Sequence, residues 1–158
     1  NGKLEGVYRS WFQSGEKKQE LPYKNGKKEG LQSWWYESGK KEWELRYKNG
    51  KQEGLRTKWY ESGGKEHETP FKNGKLEGVY RSWYESGDKN EEVHYKKGQL
   101  HGLKTVWYES RYVPGGKKSE TSFKNGKYDG LETYWYKSGI KKSVKHFKSD
   151  MEHEIRKE

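Results

Sequence analysis

Five histidines, His67, His94, His101, His146 and His153, are the groups of this sequence best suited to holding a metal ion or moving a proton at neutral pH. Only His94 and His146 fall at one position of the internal repeat set out below, and their copies are two apart. In a flat sheet their Cα atoms would lie roughly 19 Å apart, too far to share a metal that takes nitrogen ligands at about 2.1 Å. They read as scattered surface histidines. Carboxylates recur at Glu5, Glu29, Glu53, Glu77 and Asp129, and again at Glu20, Glu44, Glu68, Glu92 and Glu120. Chemistry happens at one place and breaks symmetry, whereas these groups appear in nearly every copy with lysine nearby. Cross-strand ion pairs worth roughly 0.2 to 1 kcal/mol each explain them more simply. The serines of the Ser-Gly pairs have no partnered histidine or aspartate, so they read as turn residues. The glycines form no G-x-G-x-x-G and no P-loop ahead of a helix, and cysteine is absent. The sequence therefore predicts no enzyme, no cofactor and no metal site, and its chemistry is expected to be that of binding.

The repeat decides what positions these groups. Asn-Gly occurs at 1, 25, 49, 73 and 125, with Lys97-Gly98 in the same slot, giving spacings of 24, 24, 24, 24 and 28. The longer spacing comes from the insert Arg111-Tyr112-Val113-Pro114. Trp fills one slot in every copy (Trp11, Trp35, Trp59, Trp83, Trp107, Trp135). An aromatic follows it (Phe12, Tyr36, Tyr60, Tyr84, Tyr108, Tyr136), and another closes the copy (Tyr23, Tyr47, Phe71, Tyr95, Phe123, Phe147). Asn-Gly signals a type I′ hairpin turn because that turn needs φ > 0 at both central residues, and Ser-Gly half a repeat later is a weaker signal of the same kind. Turn, strand, turn, strand gives an all-β array of antiparallel hairpins in an elongated, twisted single-layer meander sheet, on the order of 55 to 60 Å long. Its copies are 1–24, 25–48, 49–72, 73–96, 97–124 and 125–148, followed by a non-repeat tail or cap, 149–158. If both turns are two-residue loops without bulges, the Trp column shares a face with Val7, Leu31, Leu55, Val79, Leu103 and Leu131. Both Tyr/Phe columns then take the other face, where rings lie over the glycines opposite them. Pro22 and Pro70, at one repeat position, warn of a bulge or an unpaired site there.

The pattern N-G-K-x-E-G followed by W-Y-x-S-G-K resembles the MORN repeat family, in particular its bacterial variant with N-G-K-x-x-G hairpins, over residues 1–148. Lys97, Gln99, His101 and Asp129 depart from it, as does the insert. The resemblance implies a single layer of hairpins. It also implies a role as a protein-interaction scaffold, as a membrane-associated module in some eukaryotic members, or as an antitoxin or immunity protein beside a bacterial toxin. It supplies no catalytic residue.

Two kinds of binding chemistry follow. Lys and Arg number 34 against 24 Asp and Glu, a net charge of +10, and most of the excess falls in the last two copies. Lys117, Lys118, Lys141 and Lys142 are thus candidates for contacting nucleic acid or an anionic phospholipid membrane. Against this, lysines on turns and edges keep a one-layer sheet soluble and block edge pairing, and Lys follows nearly every turn even in near-neutral copies. Eight Trp and thirteen Tyr offer the other chemistry. Trp34 and Trp43, outside the shared slots, together with Tyr60, Tyr84, Tyr108 and Tyr112, are candidates for docking another protein, a toxin domain among them. Self-association through a sheet face or edge and glycan binding are further expectations. No apolar run approaches the ~18 to 20 residues of a membrane span, so a soluble chain is expected. It opens inside a recurring motif, which reads as a trimmed product and leaves the compartment and any signal peptide open.

Overall fold

A computed structural model describes residues 2–112 and 115–153 of the chain. Asn1 of the first expected turn, Val113 and Pro114 of the insert, and residues 154–158 of the tail lie outside the described residues. The chain forms two compact units, Asn1–Lys75 and Leu76–Glu158. In the first, β1 (Gly6–Trp11), β2 (Lys17–Lys24), β3 (Lys27–Lys28) with β4 (Gly30–Trp35), β5 (Lys41–Lys48), β6 (Lys51–Trp59) and β7 (Lys65–Lys72) follow one another antiparallel in one sheet. β8 (Lys75–Leu76) stands at the boundary in sequence. In the second, β9 (Gly78–Trp83), β10 (Lys89–Lys96), β11 (Gln99–Trp107), β12 (Lys117–Lys124), β13 (Lys127–Trp135), β14 (Lys141–Lys148) and β15 (Met151–His153) do the same. No helix occurs among the described residues, so the all-β hairpin meander is the fold of each unit.

The Asn-Gly turns are of the expected kind: Asn25 and Gly26 have φ 52 and 77, Asn49 and Gly50 φ 51 and 79. Lys97 is held at φ 52, a conformation that costs a long side chain about 1 to 2 kcal/mol, and its turn is tied down by the Lys97 N–H donating to Glu77 at 2.6 Å and the Gly98 N–H to Leu76 C=O at 2.8 Å. The slot recurs in the tail. Ser149 and Asp150 take φ 52 and 72, and Lys148 pairs with Met151, so the segment read as non-repeat begins with one more hairpin.

The Ser-Gly turns differ from the two-residue loops of the sequence reading. Gly39 N–H donates to Tyr36 C=O at 3.0 Å and Tyr36 N–H to Lys40 C=O at 2.8 Å, with Gly39 at φ 80. This is the three-residue loop whose last residue is left-handed. Its consequence is a bulge one step further on, where Trp35 pairs with Lys41 but Trp34 with Trp43, leaving Glu42 as the extra residue. Trp11 with Lys17, Trp59 with Lys65, Trp107 with Lys117 and Trp135 with Lys141 repeat the shift.

A second irregularity follows each Asn-Gly turn. Arg46 pairs with Glu53 but Glu44 with Thr57, so β6 carries two extra residues around Gly54. Pro22 lies beside the equivalent place, its carbonyl accepting the Glu29 N–H at 3.1 Å. That is the bulge the prolines foretold. Gly54 sits there at φ +80, and a Cβ added to it would meet nothing within 4 Å. The expected reason for a glycine opposite a ring, that the ring lies over the bare backbone, therefore fails at Gly54. Backbone handedness selects the residue.

The core is thin. Leu45, Val93 and Phe123 are the buried apolar side chains among the described residues, beside Gln32, Ser33, Thr57, Ser82, Thr105, Thr121 and Thr133.

Candidate functional site

Register assigns two faces. On one lie the Trp column, the Val/Leu column and, between them, Arg9, Ser33, Thr57, Arg81, Thr105 and Thr133. These last residues pair with Glu20, Glu44, Glu68, Glu92, Glu120 and Val144. The bulge brings a lysine onto this face. In a regular strand residues three apart point to opposite sides, yet Lys17 reaches Glu20 at 3.0 Å and Lys41 reaches Glu44 at 2.6 Å. Lys65–Glu68 and Lys117–Glu120, each at 2.5 Å, repeat the pair in copies three and five. The same ammonium groups lie over the next copy's indole: Lys17 over Trp35 at 5.0 Å, Lys41 over Trp59 at 5.8 Å, Lys89 over Trp107 at 5.3 Å, Lys117 over Trp135 at 5.9 Å. With Lys17 and Arg9 bonded to it, the Glu20 carboxyl is held below its ordinary range. The Glu20 column forms ion pairs, cross-strand as expected at Arg9–Glu20 and Arg81–Glu92, but with a lysine of the same strand at Glu44, Glu68 and Glu120.

The Glu5 column does something else. Glu5 accepts the Asn25 N–H at 2.6 Å, Glu29 the Asn49 N–H at 2.6 Å, Glu53 the Asn73 N–H at 2.8 Å and Glu77 the Lys97 N–H at 2.6 Å. Each carboxylate ties down the turn of the following copy, a charge-assisted bond where the sequence suggested a lysine partner. Beside it, Gly26 N–H donates to Leu4 C=O and Gly50 N–H to Lys28 C=O, both at 2.9 Å. These are fixings between copies, with no chemistry of their own.

On the other face the copies disagree. Beside the closing aromatics stand Tyr8, Leu21, Gln32, Leu45, Trp34 and Trp43 in the first two copies, and Lys104, Val106, Thr121, Glu132 and Tyr134 in the last two. Trp34 and Trp43 pair directly and stack, ring centroids 3.4 Å apart and 11° from parallel, with the Arg56 guanidinium 5.8 Å from the Trp43 ring. In the second unit the same face holds a trough of 480 Å³ that includes Val106, Lys118, Phe123, Tyr128, Glu132 and Tyr134. Burial and the nearby Glu132 push the Tyr134 phenol above its ordinary value.

The remaining candidates are scattered. Tyr60, Tyr84 and Tyr108 do not lie on a sheet face, because the aromatic after each Trp has left the strand for the turn: Tyr60 N–H donates to Gly64 C=O at 2.8 Å. Tyr84 and Tyr108 give their hydroxyls to Trp107 C=O and Trp135 C=O of the following copies, each at 2.9 Å. They are spacers between copies. Tyr112 is 53% exposed but lies between two cations, Arg111 at 4.9 Å and Lys137 at 3.8 Å from its ring. The four lysines do not form one patch: Lys117 is committed to Glu120 and Trp135, Lys118 lines the trough, Lys142 lies 5.6 Å from the Tyr136 ring, and Lys141 is exposed. Sequence counting missed that His146 and His153 face each other across β14 and β15, ring centroids 6.1 Å apart, because His153 lay in the presumed tail. No group of three or more metal-ligating side chains occurs among the described residues.

A comparison with curated proteins finds no match. The family model described as MORN repeat variant matches residues 4–25, 28–49, 52–73 and 76–97, more than half of the chain and each time one hairpin copy. With that match and a hairpin meander in each unit, the chain belongs to the MORN repeat variant family, whose repeats serve as protein- or membrane-binding modules.

Proposed function

We propose that this protein is a noncatalytic interaction module that docks another protein on the face where its copies differ. The single observation behind this reading is the division of labour between the two faces. One repeats Trp, Lys, Glu and Val/Leu from copy to copy, its lysines pairing with glutamate and lying over the next indole while Leu31, Leu55, Leu103 and Leu131 stay exposed. The other varies between copies at the positions beside the closing aromatics: Tyr8, Gln32, Arg56, Tyr80, Lys104 and Glu132 fill one, and Ser10, Trp34, Lys58, Ser82, Val106 and Tyr134 the next, so that only copy four repeats copy one there and the stacked Trp34 and Trp43 occur once. A side chain that serves stacking is needed in every copy, whereas one that recognises a partner is needed once. Paired tryptophans beside an arginine also have the composition of binding hot spots. Within this reading the partner is a toxin domain whose active surface the variable face covers, and the chain's excess positive charge suits a neutral or acidic one.

The test is site-specific photo-crosslinking in the native cell. A photoreactive residue at Trp43 is expected to capture one defined protein, and the same residue at Leu55 on the repeating face to capture none. With that protein purified, Trp34→Ala and Trp43→Ala are expected to raise the dissociation rate, and salt to matter little. Capture from Leu55 alone, or a complex indifferent to both tryptophans, would refute the assignment. An antitoxin role is lost if the captured protein's toxicity is unchanged when the chain is in excess.

A further inference from the structure

We infer that the file of Asn-Gly turns along one edge of each unit's sheet is a second binding surface, a seat for the sugar–phosphate backbone of nucleic acid taken without regard to base sequence. This goes beyond docking through a face and rests on different residues. The Asn-Gly turns at 25, 49, 73 and 125 are flanked by lysine on both sides, whereas the Lys97-Gly98 turn has Lys96 before it and Gln99 after it; in the first unit Lys3, Lys24, Lys27, Lys48, Lys51, Lys72 and Lys75 are all exposed. The register makes the arrangement costly. Lys24 is the direct cross-strand partner of Lys27, and Lys48 of Lys51. In the second unit Lys124 is the partner of Lys127. Like charges directly opposite destabilise a sheet. Lysines that merely blunted an edge or kept the sheet soluble would do so equally well opposite glutamate, so a repulsion rebuilt at three turns, though not at Lys96 with Gln99 or Lys148 with Met151, points to a counter-ion that lies between them.

The geometry offers it a place. A cleft of 350 Å³ opens between successive turns, lined by Lys3, Lys24, Asn25, Lys27, Glu29 and Asn49. Its one carboxylate, Glu29, is already bonded to the Asn49 N–H, which leaves ammonium and amide donors to an entering anion. Equivalent turns recur two strands on, about 9.6 Å apart, so the donors stand in single file, as the charges of a polymer do. No ring stands in the cleft lining. Bases therefore have nothing to stack on there, and the surface reads charge alone.

The test is fluorescence anisotropy of the whole chain with two labelled probes, a poly-dT strand and a mixed-sequence duplex, over a range of salt. Lys24→Gln, Lys48→Gln and Lys72→Gln together are expected to weaken binding to both probes about tenfold. The log–log salt slope should also become shallower, by roughly 0.7 to 0.9 for each phosphate that is no longer neutralised. Lys18→Gln with Lys40→Gln, on the opposite edge, should change neither. Thermal melting checks the premise, since the triple variant is expected to melt higher than the parent once the facing charges are gone. The inference is overturned if neither probe binds, if the two edges contribute equally, if the triple variant melts no higher, or if the chain takes to phosphatidylserine vesicles and not to the oligonucleotides.

Discussion

Gln32 is the side chain most at odds with its surroundings. It is fully buried against Leu45, and neither amide atom has a hydrogen-bond partner in the protein. A buried polar group without a partner costs about 1 to 3 kcal/mol, so Gln32→Leu should stabilise the fold by that order, read from the urea midpoint; a loss of stability would mean that the amide is satisfied. His67 supplies a pH dependence. Burial, with the Arg56 guanidinium beside it and outweighing Glu66, holds its imidazole below the ordinary value. The unfolded chain therefore takes up a proton first as pH falls. The stability this gives is full above the unfolded pKa of about 6.5 and is lost as pH drops toward the depressed folded value. His67→Gln should flatten the decline in melting temperature between about pH 7 and about pH 5. An identical decline in the variant would place the titration elsewhere. Counting out from the Ser-Gly turns does pair Gln32 with Leu45 and Lys58 with His67, but neither property was legible in the sequence, because pairing alone does not say which side chains are buried or which hydrogen bonds they make.

At the scale of the element, the glutamate of N-G-K-x-E-G is a turn anchor. Glu53→Gln keeps an oxygen for the Asn73 N–H but removes its charge, and Glu53→Ala removes the acceptor. The expected losses are about 0.5 and about 1.5 kcal/mol, in that order, and equal losses would show that the carboxylate acts only through general charge. Gly54 tests the backbone in the same way. Alanine has room but the wrong handedness, so Gly54→Ala should cost about 1 to 2 kcal/mol and Gly54→Asn less, since asparagine tolerates φ > 0. Much at this scale could be read from residue order alone: the type I′ turns, the Trp and Val/Leu columns on one face, and a bulge beside the prolines. The Ser-Gly loop could not. Nothing in its residues distinguishes two loop positions from three, and that one residue decides where Lys17, Lys41 and Lys117 point. For the same reason Tyr84 and Tyr108, expected on a face, become spacers in the turns, and Lys117 becomes part of the stacking.

At the scale of the whole molecule, copies are joined by what they share, and in the function proposed above they act by what they do not. Lysine over indole, tyrosine hydroxyl to carbonyl and glutamate to turn N–H all run from one copy to the next, so stability is local and additive. The binding face is then free to vary. Copy four already shows an alternative, with Ser82 and Glu91 where copy two has Trp34 and Trp43. The most direct test compares urea unfolding of two variants: Trp34→Ser with Trp43→Glu, which gives copy two the Ser82–Glu91 pair of copy four, and Trp59→Ala, which empties one shared slot. The exchange of faces should cost no more than about 1.5 kcal/mol, the order of a lost aromatic stack, while the single shared tryptophan should cost about 2 to 3 kcal/mol, less than a fully buried one because its face is open to solvent. A face exchange that costs as much as Trp59→Ala, or more, would contradict the division between the two faces.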